Sequence, residues 1–367
     1  MKKLFLTFLL FSGLLYFSNA NDDYRADFIM GDPGIASVNA LAFGPDGILF
    51  IGDSQNATIT AIDTKDNTST SAPEKLNFQK VDEHIANMLG TTADGITIQD
   101  MAVNPISKAI YLAVHTQDAQ PVLLRMANDK FEVINLKKIS YSNASLQKAV
   151  AADAKDRRGR SLRKWSISDL AFKNDKLMVS GLSNEEFSSA MMVFSFPFKK
   201  EEAVSTLEIY HAAHGRYETY APIKTFMPYT LNGKEHIVAS YTCTPLVIFP
   251  MDEMKAGEHT KGKTVAELGN RNTPLDIISY KKDGKEYLLL ANTTRALMKI
   301  DPSKIENFDD YLTERVEESS ATAGVEFIAL PMVNVQQMDK FDDENLVFLQ
   351  RMSNGDLNLF AMGNRRL

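Results

Sequence analysis

Two histidines three residues apart, His211 and His214 in HAAHGR, are the side chains best suited by type to hold a metal. A helical turn there would bring both imidazoles to one ion. The chain has a single cysteine, Cys243. With histidines it makes a soft donor set for copper or zinc, and His115 is a further partner of that kind. A lone thiol forms no intrachain disulfide. It could serve as a nucleophile only with a base such as His115 or His214 beside it. Asp100, Asp169 and Asp276 recur in related surroundings, QDMAV, SDLAF and LDIIS. Carboxylates converging on one point, completed by an amide such as Asn292, suit a hard divalent cation. Arg271, Arg295 and Arg351 can grip a carboxylate or phosphate, with Glu218 and Asn272 as polar neighbours. In a metal-assisted hydrolysis His115 or His214 would move the proton and Arg216 would orient the substrate. The sequence has no G-x-S-x-G elbow and no H-E-x-x-H pair.

These residues are far apart in the chain, so a repeat must gather them. The stretch SVNALAFGPDGILFIGDSQNATITAID, from Ser37 to Asp63, reads as three short strands joined by tight turns. The first strand recurs as NALAF, QDMAV, SDLAF, APIKTF, LDIIS and QQMDKF. Each is followed by a second strand, from ILFIGD to LVFLQRM, and a third, from TITAID to DLNLFAM. Fourth strands are read at KLNFQKV, KFEVINL, STLEIYH, KTVAEL and VEFIAL, each assigned to the copy before it. The last copy lacks one, and YRADFIMG precedes the first. The expected fold is therefore all-β. It is a six-bladed β-propeller of four-stranded blades, with the N-terminal strand closing the last blade and removing the open seam. In such a ring the loops between blades and the loops between second and third strands share one face. That face gathers the candidates named above. The polar segment Ser145 to Arg163 reads as a long loop between blades.

The net charge of −7 is dispersed, which argues against a nucleic-acid-binding surface. MKKLFLTFLLFSGLLYFSNA at the start has the charged, apolar and small-residue regions of a bacterial-type signal peptide. Residues 1–20 are expected to be removed. Residues 21–367 would then form a single exported propeller domain, periplasmic or secreted, monomeric, with no membrane span.

At GPDGILFIGDSQNATITAID the chain resembles the superfamily of six-bladed propellers that includes gluconolactonase and senescence-marker proteins, strictosidine-synthase-type proteins and NHL-repeat proteins. The likeness lies in the blade pattern, clear in the first copy and fair in ANTTRALMKID of the fifth. For lactonase-type members the resemblance implies a divalent cation at the channel mouth, with Asp100, Asp169, Asp276 and Asn292 as the nearest positional ligands here. Asn39 and Ala40 stand where those enzymes carry a first-blade glutamate, which is a departure. The expected function is binding of a small polar ligand with a divalent metal (calcium, magnesium or zinc) on the upper face, as in a lactonase-type hydrolase. The alternatives are a non-catalytic propeller that docks a protein partner, and a copper or zinc propeller built on His211, His214 and Cys243.

Overall fold

A computed structural model describes residues 23–73, 75–199, 202–318 and 320–367. The signal peptide read at residues 1–20 lies outside them. Six small antiparallel sheets form a ring, a six-bladed β-propeller with few helices. The six first strands fall where the repeat puts them: Ala40–Phe43, Ile96–Val103, Asp169–Lys173, Ile223–Leu231, Pro274–Lys282 and Val335–Lys340. Blades are numbered 1 to 6 in that chain order. Among the described residues no helix is long and apolar enough to cross a membrane.

Strand period explains the packing. In Ile48–Asp53 every residue is buried, because both faces of the blade are covered. Ile48 and Phe50 point one way, into a core with Leu177, Val179 and Phe194 of blade 3. Leu49 and Ile51 point the other way, into a core with Tyr111, Ala113 and Leu123 of blade 2. The turn before this strand uses Asp46 and Gly47 at positive φ, 54° and 73°, where a glycine costs least.

Blade 1 therefore sits between blades 2 and 3. Blade 2 packs on its other side against blade 6, with Leu112 and Val114 sharing a core with Val347 and Leu349. The order round the ring is 2-1-3-4-5-6, and the neighbouring inner strands follow it throughout. After finishing three strands of blade 1 the chain steps backwards, lays down blade 2, and returns.

That step corrects the expected closure. The strand that completes blade 6 is Asn77–Phe78, paired with Phe360 and Leu359, and not the N-terminal YRADFIMG. KLNFQKV thus serves the last blade instead of the first. Its Leu76 is buried in the core between blades 2 and 6, and its carbonyl accepts the Ala361 N–H at 3.0 Å. The outer strand of blade 1 is Ile139–Ser145, which pairs with Thr58–Asp63 after blade 2 is made. The N-terminal strand Ile29–Gly31 pairs outside that one. Local chemistry holds it there: Tyr24 and Phe28 pack on Phe196, and Arg25 meets Asp63 at 3.1 Å. The loop expected at Ser145 to Arg163 falls in the connection from Ile139–Ser145 to Asp169–Lys173, here between blade 1 and blade 3.

Candidate metal centre and channel mouth

Blade 3 ends in the long strand Glu202–His211. A single helical-type turn follows, in which the N–H groups of His214 and Gly215 donate to the His211 carbonyl at 3.0 and 2.8 Å. Gly215 permits it with φ of +64°. Arg216–Glu218 then folds back as a short strand, with Arg216 opposite His211 and Glu218 opposite Ile209. The turn brings the two imidazoles to a centroid separation of 3.9 Å. It also returns Glu218 beneath them. One Glu218 oxygen lies 2.9 Å from His211 Nδ1 and the other 2.7 Å from His214 Nδ1. Arg216 Nε donates to the same carboxylate at 3.0 Å, and Tyr220 Oη at 3.3 Å.

Burial opposes ionisation of Glu218, but the donors from His211, His214 and Arg216 outweigh it and hold its pKa at about 2. An ionised carboxylate only accepts. Each Nδ1 therefore carries a proton, and Nε2 is the nitrogen of each ring that the carboxylate does not engage. His211 is 2% exposed and its Nε2 has no hydrogen-bond partner among the described residues.

The third member arrives from blade 4. Cys243 lies in the tight turn between Lys234–Tyr241 and Pro245–Pro250. Cys243 and Thr244 both have positive φ, 70° and 55°, rare for residues of these types. The turn is pinned by its neighbours: Cys243 N–H donates to the Asn272 carbonyl at 2.8 Å, and Thr244 Oγ1 to the Gly269 carbonyl at 2.7 Å. Ligand atoms of His211, His214 and Cys243 lie within 4.8 Å of one another. Among the described residues this is the group of three or more potential ligands that converges so tightly. The structure thus brings together the soft donor set read from the sequence. An inter-blade loop meets a loop between second and third strands there, as the face rule requires.

Sequence reasoning passed over Glu267, at the end of Lys263–Glu267 on the outer side of blade 4. Its Oε1 accepts the Ala213 N–H at 3.0 Å and lies 3.9 Å from His211 Nε2, while its Oε2 is buried without a partner among the described residues. Burial raises its pKa to about 7 against the pull of the Ala213 and Ala212 amides. The available signal was a carboxylate ending the otherwise apolar run TVAE.

At the channel mouth a cavity of about 230 Å³ is lined by Asn39, Gln99, Asp100, Asp169, Lys224 and Asp276, among others. The three aspartates do converge, and Asp339 joins them electrostatically. Their oxygens are engaged with backbone. Asp100 accepts the N–H of Leu41 at 2.7 Å and of Met101 at 2.8 Å. Asp169 accepts those of Phe226 at 2.9 Å and Leu170 at 2.8 Å, and Asp276 accepts that of Met338 at 2.6 Å. Burial, reinforced by neighbouring carboxylates, pushes Asp100 and Asp276 well above the usual carboxylate range. Burial takes Asp169 to about 7 and Asp339 to about 6. Lys224 stands over the Trp165 ring, 3.6 Å from its centroid, and burial lowers its pKa to about 8.

The side chains of the other candidates, the exposed Arg271 aside, are engaged elsewhere, although the Asn272 backbone carbonyl pins the Cys243 turn. Asn292 ends the second strand of blade 5, where its Oδ1 accepts the Arg295 N–H at 2.8 Å and its Nδ2 donates to the Ala296 carbonyl at 3.2 Å. His115 accepts the Val38 N–H at 3.0 Å through Nε2, at the seam of blades 1 and 2, and burial lowers its pKa. Arg351 is paired with Asp82. Arg295 donates to the Ser320 carbonyl at 2.7 Å. Asn272 is buried, accepts the Thr294 N–H at 3.0 Å and has no partner for its Nδ2 among the described residues. Arg271 is exposed with φ of 59°. Of the proposed catalytic set, His214 and Arg216 share Glu218, and His115 does not join them.

No family model matches the chain, and no curated protein matches it. Solved structures with a similar trace include the β-propeller domain of Cps50 (Swd1) from Myceliophteria thermophila, 11% identical, covering 88% of this chain and 82% of that one, with a TM-score of 0.37. They also include the PQQ-bound aldose sugar dehydrogenase of Streptomyces coelicolor, 12% identical, covering 91% and 96%, with a TM-score of 0.34. Likenesses this distant carry no inference about chemistry.

Proposed function

We propose that this chain is an exported propeller that holds a thiophilic transition metal at His211, His214 and Cys243, where blades 3 and 4 meet. The observation that carries the reading is Glu218: one carboxylate engages both Nδ1 atoms and so orients the two imidazoles, whose ligand atoms lie within 4.8 Å of one another and of Cys243 Sγ. Two imidazoles and a thiolate suit zinc or copper. The test is metal titration of chelator-stripped protein by calorimetry. One equivalent should bind, and His211→Ala, His214→Ala and Cys243→Ser should each abolish tight binding. Uptake that is unaltered in all three variants would overturn the reading. Export is checked separately, since the mature protein recovered outside the cytoplasm should begin at Asn21.

A second reading, a small polar ligand at the channel mouth, is favoured by the cavity with Lys224 and Trp165 at its rim. Trp165 is the single tryptophan, so its fluorescence reports that site alone. A screen of polyols, amines and carboxylates that leaves the emission unchanged would count against it.

A further inference from the structure

We propose that Glu267 is the fourth ligand of this centre, that the metal is zinc, and that the closed site fastens blade 3 to blade 4. This rests on the metal reading above. Glu267 faces Pro245 across the strand pair of blade 4, two residues beyond Cys243. It is fully buried. Among the described residues its Oε2 has no hydrogen-bond partner, and neither has His211 Nε2, which lies 3.9 Å from Oε1.

His211 Nδ1 meets the Glu218 carboxylate at 2.9 Å, which leaves Nε2 as the nitrogen facing Glu267. Each residue thus leaves one buried polar atom unsatisfied among the described residues, Nε2 on His211 and Oε2 on Glu267. A cation between them answers both. Zinc bonds of about 2.0–2.2 Å to nitrogen and oxygen span such a gap, with a shift of a few tenths of an ångström giving the tetrahedral angle. The donor set selects the metal. Two imidazoles and a thiolate would satisfy copper(I), but a carboxylate is a hard donor that copper(I) does not favour, whereas zinc takes all three types.

Four protein ligands make a closed site, the pattern of structural zinc. The ligands are also divided by origin. His211 and His214 belong to the end of blade 3, Cys243 and Glu267 to blade 4. Metal binding would therefore tie the loop 211–218 to its neighbour.

The experiment compares chelator-stripped wild type and Glu267→Gln in titrations with zinc and with cobalt(II), whose visible bands report coordination. Wild type should bind one zinc, gain melting temperature on binding and show intense tetrahedral cobalt bands. E267Q should bind zinc more than about 100-fold more weakly and lose those bands. If E267Q keeps wild-type affinity and spectrum while His211→Ala and Cys243→Ser lose metal, Glu267 is no ligand and the metal reading stands. If wild type takes neither zinc nor cobalt, both fall. Melting of the metal-free proteins shows whether E267Q folds. Should it not, Glu267→Asp keeps the carboxylate with a shorter reach, and zinc affinity equal to wild type in that variant overturns the proposal.

Discussion

Asp339, on the inner strand of blade 6, accepts the backbone N–H of Val103, on the inner strand of blade 2, at 2.6 Å. This single bond records which blades are neighbours. Asp100 does the same from blade 2 to Leu41 of blade 1, Asp169 from blade 3 to Phe226 of blade 4, and Asp276 from blade 5 to Met338 of blade 6. The channel carboxylates therefore staple seams, and their shared confinement sets how the ring responds to pH.

Stability should fall as pH rises through the neutral range. Asp169 moves from 3.8 to about 7 on folding, because burial disfavours its charge. Asp339 moves from 3.8 to about 6 for the same reason. Between those limits the folded protein holds more protons than the unfolded one, so stabilisation is complete at the acid end and is lost as pH rises through the folded values. Glu218 has the opposite sign: its pKa of about 2 adds stability above the unfolded value that is lost only in stronger acid. Calorimetric melting temperatures should decline from about pH 5 to about pH 8, and less steeply in Asp169→Asn. A steady climb over that interval would refute the assignment.

Glu218→Gln should uncouple the two histidines. An amide has one acceptor oxygen, so it cannot take both Nδ1–H groups as the carboxylate does. Metal affinity is expected to drop by about 10- to 100-fold, with stoichiometry kept. Competition against a calibrated chelator measures the change.

Gly181→Ala should disturb the channel mouth from behind. A Cβ there would lie 2.1 Å from the Ser166 carbonyl oxygen and 2.9 Å from that of Trp165. Backbone cannot yield as a side-chain tip does, and overpacking of this kind costs about 1–3 kcal/mol. The urea midpoint should fall, and the emission of Trp165 should shift as its segment is pushed from Lys224.

Arg125→Ala tests what holds the chain on its backward step. The guanidinium donates to Asp66 through Nε at 2.8 Å and Nη2 at 3.1 Å, and Asp66 also accepts from Ser107 at 2.8 Å and Tyr111 at 3.1 Å. The pair is partly buried and bidentate, so a loss of about 1.5–3 kcal/mol is expected from denaturant unfolding. A loss under about 0.5 kcal/mol would class it with ordinary surface pairs.

Blade content was legible because strand period and turn chemistry are local. LFI in ILFIGD and GPDG before it report burial on two faces and a reversal without reference to anything distant. Blade order was not legible. Whether KLNFQKV pairs with Thr58–Asp63 or with Leu357–Gly363 depends on which edge stands open, and ISYSNAS is too polar to announce itself as the competitor for the first edge. The soft ligand trio could be named from residue type, since cysteine and paired histidines are scarce in this chain. Glu267 could not, because its significance is a buried oxygen without a partner, which no spacing reveals.

The interrupted first blade has a consequence for how the ring is assembled during synthesis. Blade 1 stays one strand short until the whole of blade 2 has been made, and the strand awaiting blade 6 is in place long before blade 6 exists. Growth by successive finished modules is therefore closed to this chain. Both ends of the polypeptide depend on partners laid down at remote times, which raises contact order and slows folding. Trimming a terminal module would open two seams at once, so the ring should be lost as a unit and not shortened by a blade.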